Sequence, residues 1–215
     1  MTTGRMWHWE AEFARSVRWL RVRRLFTQIA GQHSGPADES GTTARTIAAF
    51  ESLMQGRERD VFGYLWRLTG DEQTAYDLCQ ETFLRAWQRF ATVSHYEQPG
   101  AWLFRVATNL AINSLKKRRE LTYIGDDALG DEMTIASLSA TEDPAHQYEV
   151  RDLVHRTLLR LQPRHRSALV LREVYGLSSV EVAEALGTSH AAAKMALSRA
   201  REEFRRRLAH EEGRS

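Results

Sequence analysis

Two stretches of this sequence concentrate basic side chains in a way that suits binding to a polyanion. Residues 102–119 contain five Lys or Arg and no acid, and residues 188–208 contain six against two acids. Lys and Arg neutralise phosphates, and this contact supplies nearly all of the affinity of non-specific nucleic-acid binding. Between them, residues 120–149 hold eight acids and no Lys or Arg. The net charge of +2 conceals this pattern, which indicates two nucleic-acid contacts separated by a linker.

Aromatic side chains lie beside the first basic stretch. Tyr96, Trp102 and Phe104 precede the run of cations from Lys116 to Arg119. Aromatic faces stack on unpaired bases while nearby cations reach the phosphates, so this combination suits single-stranded nucleic acid. The alternative is that Trp102 and Phe104 belong to the core, which we expect for at least one of them. Cations at the end of a helix are also favoured by the helix dipole, so the run alone is weak evidence.

The sequence contains no pattern typical of catalysis or metal binding. Its eight His residues are scattered without metal-ligand spacing, and no glycine-rich phosphate loop is present. Cys79 is the only cysteine, which excludes internal disulfides and cysteine-based zinc sites. A metal-dependent nuclease is the enzymatic alternative, and these observations argue against it. We therefore expect no enzymatic activity, no catalytic residue, no metal and no cofactor.

Helical periodicity dominates two parts of the chain, so we predict an all-α fold of two small helical domains joined by an acidic linker. A hydrophobic content of 42% is sufficient for packed cores. The sequence has no run of about 18 apolar residues and no apolar leader segment, so we expect a cytoplasmic protein. The predicted segments are a basic aromatic extension with its spacer, a first domain, the linker, a second domain and a tail, with bounds 1–45, 46–119, 120–147, 148–210 and 211–215.

The clearest helix of the first domain follows Asp71, a predicted N-cap residue. Its apolar and small side chains recur at helical spacing from Ala75 to Phe90, and Cys79 lies on this stripe, which predicts a buried thiol. Asp77, Glu81 and Arg85 lie on another face at intervals of four residues. Periodicity alone favours a solvated charged face with a Glu81–Arg85 pair.

A loop over residues 91–100 is predicted to separate this helix from a second helix over about 101–118. One side of the second helix carries Leu103, Val106, Leu110 and Ser114. Its other sides carry Arg105, Asn109, Ile112, Asn113 and Lys116.

The second domain contains a predicted helix-turn-helix. Ser178 and Glu181 form the S-x-x-E pattern of a capping box and open a short helix. Gly187 supplies the turn, and Ser189 is the predicted N-cap of a basic helix over about 190–208. A short helix, a glycine-containing turn and a basic helix are typical of DNA-binding domains.

Two longer motifs resemble one known family. Residues 77–87, DLCQETFLRAW, resemble the region 2.2 motif DLxQExFxxxW of sigma-70 factors. Residues 101–113, AWLFRVATNLAIN, resemble the region 2.3–2.4 segment AWLFRIAxNLAxD, with Asn113 in place of the usual Asp. In the second domain, the LQPRHR of residues 161–166 and the helix-turn-helix resemble sigma region 4. The family usually reads VKSRLxRAR where residues 193–201 read AKMALSRAR, so Ala196 replaces a common Arg.

The chain thus resembles a group IV, or extracytoplasmic-function (ECF), sigma factor, and the resemblance implies partners and roles. Core RNA polymerase, through its β′ and β subunits, and promoter DNA are the implied partners, and an anti-sigma factor is left open. The residues implied to face polymerase are Asp77, Gln80, Glu81 and Arg85. Those implied to bind or melt the −10 element are Tyr96, Trp102, Arg105, Asn109, Asn113, Lys116 and Lys117, with the loop 91–100 holding a flipped base. Those implied for the −35 element are Ser189, His190, Lys194, Arg199 and Arg201.

One alternative function and one segment stay open. A stand-alone helix-turn-helix regulator would explain the second domain but would not need the motif over residues 77–87. Residues 1–30 lie outside the resemblance and hold six Arg and three Trp. They suit a membrane surface or a regulatory contact, or else they are a disordered tail or follow an upstream start codon.

Overall fold

A computed structural model of the chain describes residues 48–50, 52, 57–90, 99–124 and 145–212. All regular structure in these ranges is helical, which confirms the all-α prediction. The amino-terminal extension, the residues of the predicted loop up to 98, including Tyr96, and most of the acidic linker lie outside the described residues. The chain divides into two units, Met1–Arg59 and Asp60–Ser215, and the second contains both motif-bearing segments.

The first two helices are joined by a short capped turn. Helix α1 spans Arg57–Thr69 and helix α2 spans Glu72–Gln88. Gly70 between them has a positive φ of 70°, a conformation that glycine adopts without steric cost. The carboxylate of Asp71 accepts a hydrogen bond of 2.7 Å from the backbone N–H of Thr74. This contact confirms the predicted N-cap and stabilises the first turn of α2.

The buried face of α2 is the predicted stripe. Its buried members include Cys79 and Phe83, at 4% and 3% exposure, and Phe90 just beyond the helix is also buried. The thiol of Cys79 is therefore a core group, as the periodicity predicted.

Helix α3 spans Pro99–Ile124 and differs from its prediction at both ends. It begins within the predicted loop 91–100, since Pro99 and Gly100 belong to its first turn, where proline is tolerated. It continues six residues past the predicted end, into the segment assigned to the linker. An i,i+4 ion pair of 3.8 Å between Lys116 and Glu120 lies across the predicted boundary.

The buried face of α3 is not the side that carries Leu103, Val106, Leu110 and Ser114. Of these four residues, Leu103 is buried, whereas Val106, Leu110 and Ser114 are only half-buried. The core face is instead built mainly from small residues around one aromatic ring, namely Ala101, Phe104, Ala107, Thr108 and Ala111. Small side chains let neighbouring helices approach closely, so this face is buried although it is less hydrophobic than the side with Leu103, Val106 and Leu110.

The remaining helices are α4 (Ala145–Leu159), α5 (Pro163–Glu173), α6 (Ser179–Leu186) and α7 (His190–Glu212). Both halves of the predicted capping box are present, because the Ser178 hydroxyl accepts from the Glu181 N–H and the Glu181 carboxylate accepts from the Ser178 N–H. Gly187 closes α6 in the left-handed conformation, and the Ser189 hydroxyl accepts from the N–H of Ala192 at 3.2 Å. These contacts confirm the helix-turn-helix.

The helices of both motif-bearing segments pack together within the unit that starts at Asp60. Helix α3 packs against α2 on one side and α6 on another, and α7 packs against α4, α5 and α6. Tyr175, just after α5, lies in an aromatic cluster with Tyr64 and Phe104, at ring-centroid distances of 6.0 and 5.0 Å. The helix-turn-helix therefore packs directly on the helix that carries the predicted −10 residues. In the described part of the chain, no helix combines the length and apolar character needed to cross a membrane.

Candidate polymerase and nucleic-acid interfaces

The charged face of α2 projects away from its buried stripe. Asp77 and Arg85 are exposed, and Gln80 and Glu81 are half-buried. Arg85 Nε donates to Glu81 Oε1 at 2.7 Å, which confirms the predicted pair, and Gln73 donates to Asp77 at 3.0 Å. A solvent-exposed ion pair of this kind contributes only about 0.3–0.5 kcal/mol to stability. The face thus presents two carboxylates and two other polar side chains that a partner can engage at little cost to the fold.

The predicted −10 residues of α3 share one exposed face. Arg105, Asn109, Asn113, Lys116 and Lys117 are all exposed, and they recur at intervals of three or four residues, which places them on one side of a helix. Half-buried Trp102 lies one turn before this row on the same side. Phe104 is in the core at 6% exposure. Of Trp102 and Phe104, only Trp102 can therefore offer part of its ring to a base.

One end of this face adjoins the turn of the helix-turn-helix. A Cβ atom on Gly187 would lie 3.8 Å from Nε and 3.9 Å from Nη2 of Arg105. The side chain predicted to contact the −10 element therefore lies beside the turn between α6 and α7. In this arrangement the amino-terminal end of the α3 face has limited space for DNA.

Four of the five predicted −35 residues, at the start of α7 and along it, divide into two groups. Ser189 caps the helix, and His190 Nε2 forms a 2.7 Å hydrogen bond with the hydroxyl of Ser179 at the start of α6. Both side chains thus have positions fixed by the turn. Lys194 and Arg199 are exposed on the outer face of α7, where cations can reach phosphates on a bound duplex.

Arg201 has a different environment from the other predicted −35 residues. Its Nε and Nη2 donate to Glu173 Oε1 at 3.0 and 2.7 Å, which ties α7 to the end of α5. Because a carboxylate already engages this guanidinium, Arg201 braces the helix-turn-helix in this structure. It is a weaker candidate for DNA contact than Lys194 or Arg199.

A buried arginine between the two motif-bearing segments was missed by sequence reasoning. Arg166 is 5% exposed, and its guanidinium donates to the carbonyls of Leu68 in α1, Leu159 at the end of α4, and Leu161. Burial lowers the pKa of Arg166 to about 10, so it remains charged at neutral pH. A cation is favourable at the carbonyl ends of two helices, and Arg166 thereby links α1 to the second domain. The LQPRHR motif contains this residue but gives no sign of its burial.

A buried histidine lies at the same junction. The ring of His155 stacks on Trp66 with centroids 4.0 Å apart and planes 13° apart. Burial, assisted by the guanidinium of Arg67, lowers the pKa of His155 to about 4. The imidazole is therefore neutral at pH 7 and packs as an aromatic ring. Periodicity gave no hint of this role, because His at a helical position is usually half-exposed.

The described residues include no group of three or more His, Cys, Asp or Glu that could hold a metal ion. Most of the predicted functional residues instead lie on three exposed helix faces, an acidic face on α2, a polar and basic face on α3, and a basic face on α7. Such surfaces are suited to binding macromolecules.

Comparisons with known proteins cover both segments. The Sigma-70 region 2 family matches residues 53–120, and the Sigma-70 region 4 family matches residues 151–204. The chain is 31% identical over 155 residues to the ECF RNA polymerase sigma factor SigM of Bacillus subtilis, with 72% of this chain and 92% of that protein covered. It is 32% identical over 206 residues to the ECF RNA polymerase sigma factor SigG of Mycobacterium tuberculosis (strain ATCC 25618 / H37Rv), covering 85% of this chain. The match spans 54% of the length of SigG.

A solved structure shares the fold. The sigma factor RpoE from Bartonella quintana, crystallised in complex with the anti-sigma factor NepR, matches with a TM-score of 0.60 at 22% sequence identity. The match covers 74% of this chain and 96% of that one. At this identity the likeness concerns the helical architecture alone.

Proposed function

The chain belongs to the ECF RNA polymerase sigma factors of the sigma-70 family, and we propose that it binds core RNA polymerase, recognises the −10 and −35 promoter elements and promotes DNA melting. The observation that carries this proposal is the presence of two sigma regions in order on one chain, each with an exposed face of the required charge. In this proposal the protein is a non-catalytic initiation factor that acts in the cytoplasm.

The acidic face of α2 is the proposed polymerase-binding surface. Asp77, Gln80 and Glu81 match specified positions of the region 2.2 motif, Arg85 lies within its span, and none of the four belongs to the buried stripe. A binding role explains why this face carries these polar residues although the fold does not require them. A stand-alone helix-turn-helix regulator would have no use for such a face, and the region 2 match makes that alternative less favoured.

The face of α3 and the residues preceding it form the proposed −10 site. Its cations can hold duplex DNA by the phosphates, while Trp102, and Tyr96 in the segment before the helix, supply aromatic surface for unstacked bases. Extruding a base costs a few kcal/mol, and each base stacked on an aromatic ring returns about 1–3 kcal/mol. Binding of melted DNA can thus offset the cost of opening.

The helix α7 is the proposed −35 reader. Its exposed face carries Lys194 and Arg199 next to the small side chains of Ala191 and Ala192, so the helix can approach the floor of a major groove closely. An anti-sigma factor is included among the proposed partners, since a sigma factor of the same fold was crystallised with one.

Binding of purified core RNA polymerase to the chain tests the proposal against its main alternative. Fluorescently labelled full chain is titrated with core polymerase, and anisotropy reports the complex. Saturable binding that is displaced by the unlabelled chain is expected. A chain that binds duplex DNA specifically but shows no affinity for core polymerase would be a stand-alone regulator, and the proposal would be wrong.

A further inference from the structure

The helix α7 carries a large apolar side chain on its outer surface. Among the exposed large hydrophobic residues in the described part of the chain, Met195 has the greatest exposure, 54%, and lies on the proposed DNA-reading helix. The buried side of α7 is formed by Ala193, Leu197 and Ala200. At about 100° per residue, Met195 lies within roughly 15° of the direction opposite that side. Packing among the described residues therefore gives no reason for an apolar residue at this position.

The neighbours of Met195 fit a surface that enters a DNA groove. Ala191 lies one turn before it and Ser198 nearly one turn after it, and both are exposed and small. Lys194 and Arg199 flank this strip on its two sides and are also exposed. Cations at the edges can contact the phosphates on either side of a groove, which fixes the position of the helix. The central strip then faces the edges of the bases, and Met195 is its longest side chain.

The chemistry of Met195 favours one base over the other three. Its thioether is flexible and polarisable and has no hydrogen to donate. In the major groove, thymine alone presents a methyl group, on C5, to an apolar side chain. The region 4 motif usually has Ser at this position, in VKSRLxRAR, so this chain replaces a hydrogen-bonding group by an apolar one.

We propose that Met195 is a specificity-determining residue that reads a thymine in the −35 element through its C5 methyl group. The inference builds on the proposed function, since it names the base chemistry recognised by the −35 reader. Ala191 and Ala192 offer no competing hydrogen bonds at this end of the helix, so the apolar contact supplies discrimination that polar groups would otherwise provide.

Replacement of thymine by deoxyuridine tests this directly, because it removes only the methyl group. Holoenzyme reconstituted from core polymerase and the full chain is bound to a duplex promoter in which each thymine of the upstream element is replaced in turn. The wild-type chain is compared with Met195→Ala, Met195→Ser and the matched control Lys194→Ala. Because the contact buries one methyl group, holoenzyme with the wild-type chain should bind about fourfold more weakly when uracil replaces thymine at one or two positions. This loss of affinity should be absent in both Met195 variants.

The controls separate base reading from a structural role. Lys194→Ala should weaken binding to the thymine and uracil duplexes by the same factor. If Met195 only supported the fold, its variants would also bind both duplexes less well while keeping the fourfold difference. Equal binding of thymine and uracil by wild type at every position, or an unchanged difference in both Met195 variants, would overturn the inference and leave the proposed function intact. A holoenzyme with no promoter-specific binding would overturn both.

Discussion

Asp77 and Glu81 offer the simplest test of whether the charged face of α2 binds core polymerase. Both lie off the buried stripe of α2, and among the described residues their carboxylates accept hydrogen bonds from side chains one turn away, those of Gln73 and Arg85. Their carboxylates therefore contribute little to folding, and any large effect of removing them must come from a partner.

The double variant Asp77→Ala, Glu81→Ala should bind core polymerase at least about tenfold more weakly, because truncating charges at an interface leaves their partners unpaired. Anisotropy titration measures the affinity, and circular dichroism should show unchanged helicity. Glu184→Ala with Glu202→Ala removes the same charge from exposed sites on α6 and α7 and should bind normally. Equal affinity of the two double variants would refute the assigned interface.

His155 is a residue whose ionisation links pH to stability. Its pKa is lowered from 6.5 to about 4 in the folded chain, so between these values the unfolded chain binds more protons than the folded one. Stability therefore falls as pH decreases from about 6.5 to about 4, by up to about 3 kcal/mol in total. Above pH 6.5 the imidazole is neutral in both states and this contribution is constant.

Substitution of His155 by Phe should remove that dependence, since Phe can still stack on Trp66 but cannot ionise. Urea unfolding of wild type and His155→Phe at pH 7.5 and pH 5 gives the comparison, and the wild type should lose clearly more stability. His210→Gln, at an exposed position of α7, is the control and should follow the wild type. Parallel losses in wild type and His155→Phe would show that the folded chain tolerates a charged His155.

At the scale of elements, the sequence correctly predicted the helix caps and turns, because these depend on residues close together in the chain. The cap at Asp71, the capping box from Ser178 to Glu181 and the Gly187 turn all depend on residues within four positions, and each formed as expected. The core face of α3 does not follow from periodicity, because its burial depends on how closely other helices approach. Ala107 and Ala111 carry little hydrophobic signal, yet both are fully buried because they lie where α3 meets its neighbours.

The end of α3 and the role of Arg166 are two further features that local sequence patterns did not predict. Acidic composition predicted a linker from residue 120, but the helix continues to Ile124, and the Lys116–Glu120 pair belongs to it. Arg166 makes hydrogen bonds to Leu68, 98 residues away in sequence. No periodicity or motif encodes such a contact, because both partners have ordinary local patterns.

At the scale of the whole molecule, the packing of α6 on α3 has a geometric consequence. The positions that name the −35 and −10 elements lie about 25 base pairs apart, or roughly 85 Å along B-DNA at 3.4 Å per base pair. Packed helices have axes only about 8–10 Å apart, and α3 with its 26 residues is about 39 Å long. One chain therefore cannot contact both elements in this arrangement, and the two DNA-binding faces must separate.

Energy transfer between two dyes can follow this separation. Cysteines replace exposed Gln88 at the end of α2 and exposed Arg206 on α7, in a background where buried Cys79 is changed to Ala. Transfer should be high in the free chain and should fall when core polymerase and promoter DNA are added. A transfer efficiency that stays constant throughout would mean that the two regions bind promoter DNA without separating.

Transcription by the reconstituted holoenzyme is the most direct measure of the central claim. Purified core polymerase is incubated with the full chain and fragmented genomic DNA from a bacterium that encodes it, and RNA 5′ ends are mapped. The account predicts new start sites that appear only when the chain is present and that share upstream elements near −10 and −35. With the double variant Asp77→Ala, Glu81→Ala, which should bind the polymerase at least about tenfold more weakly, transcription from these sites should be strongly reduced at limiting chain concentration. Start sites identical to those of core polymerase alone would contradict the claim that this chain is a promoter-directing sigma factor.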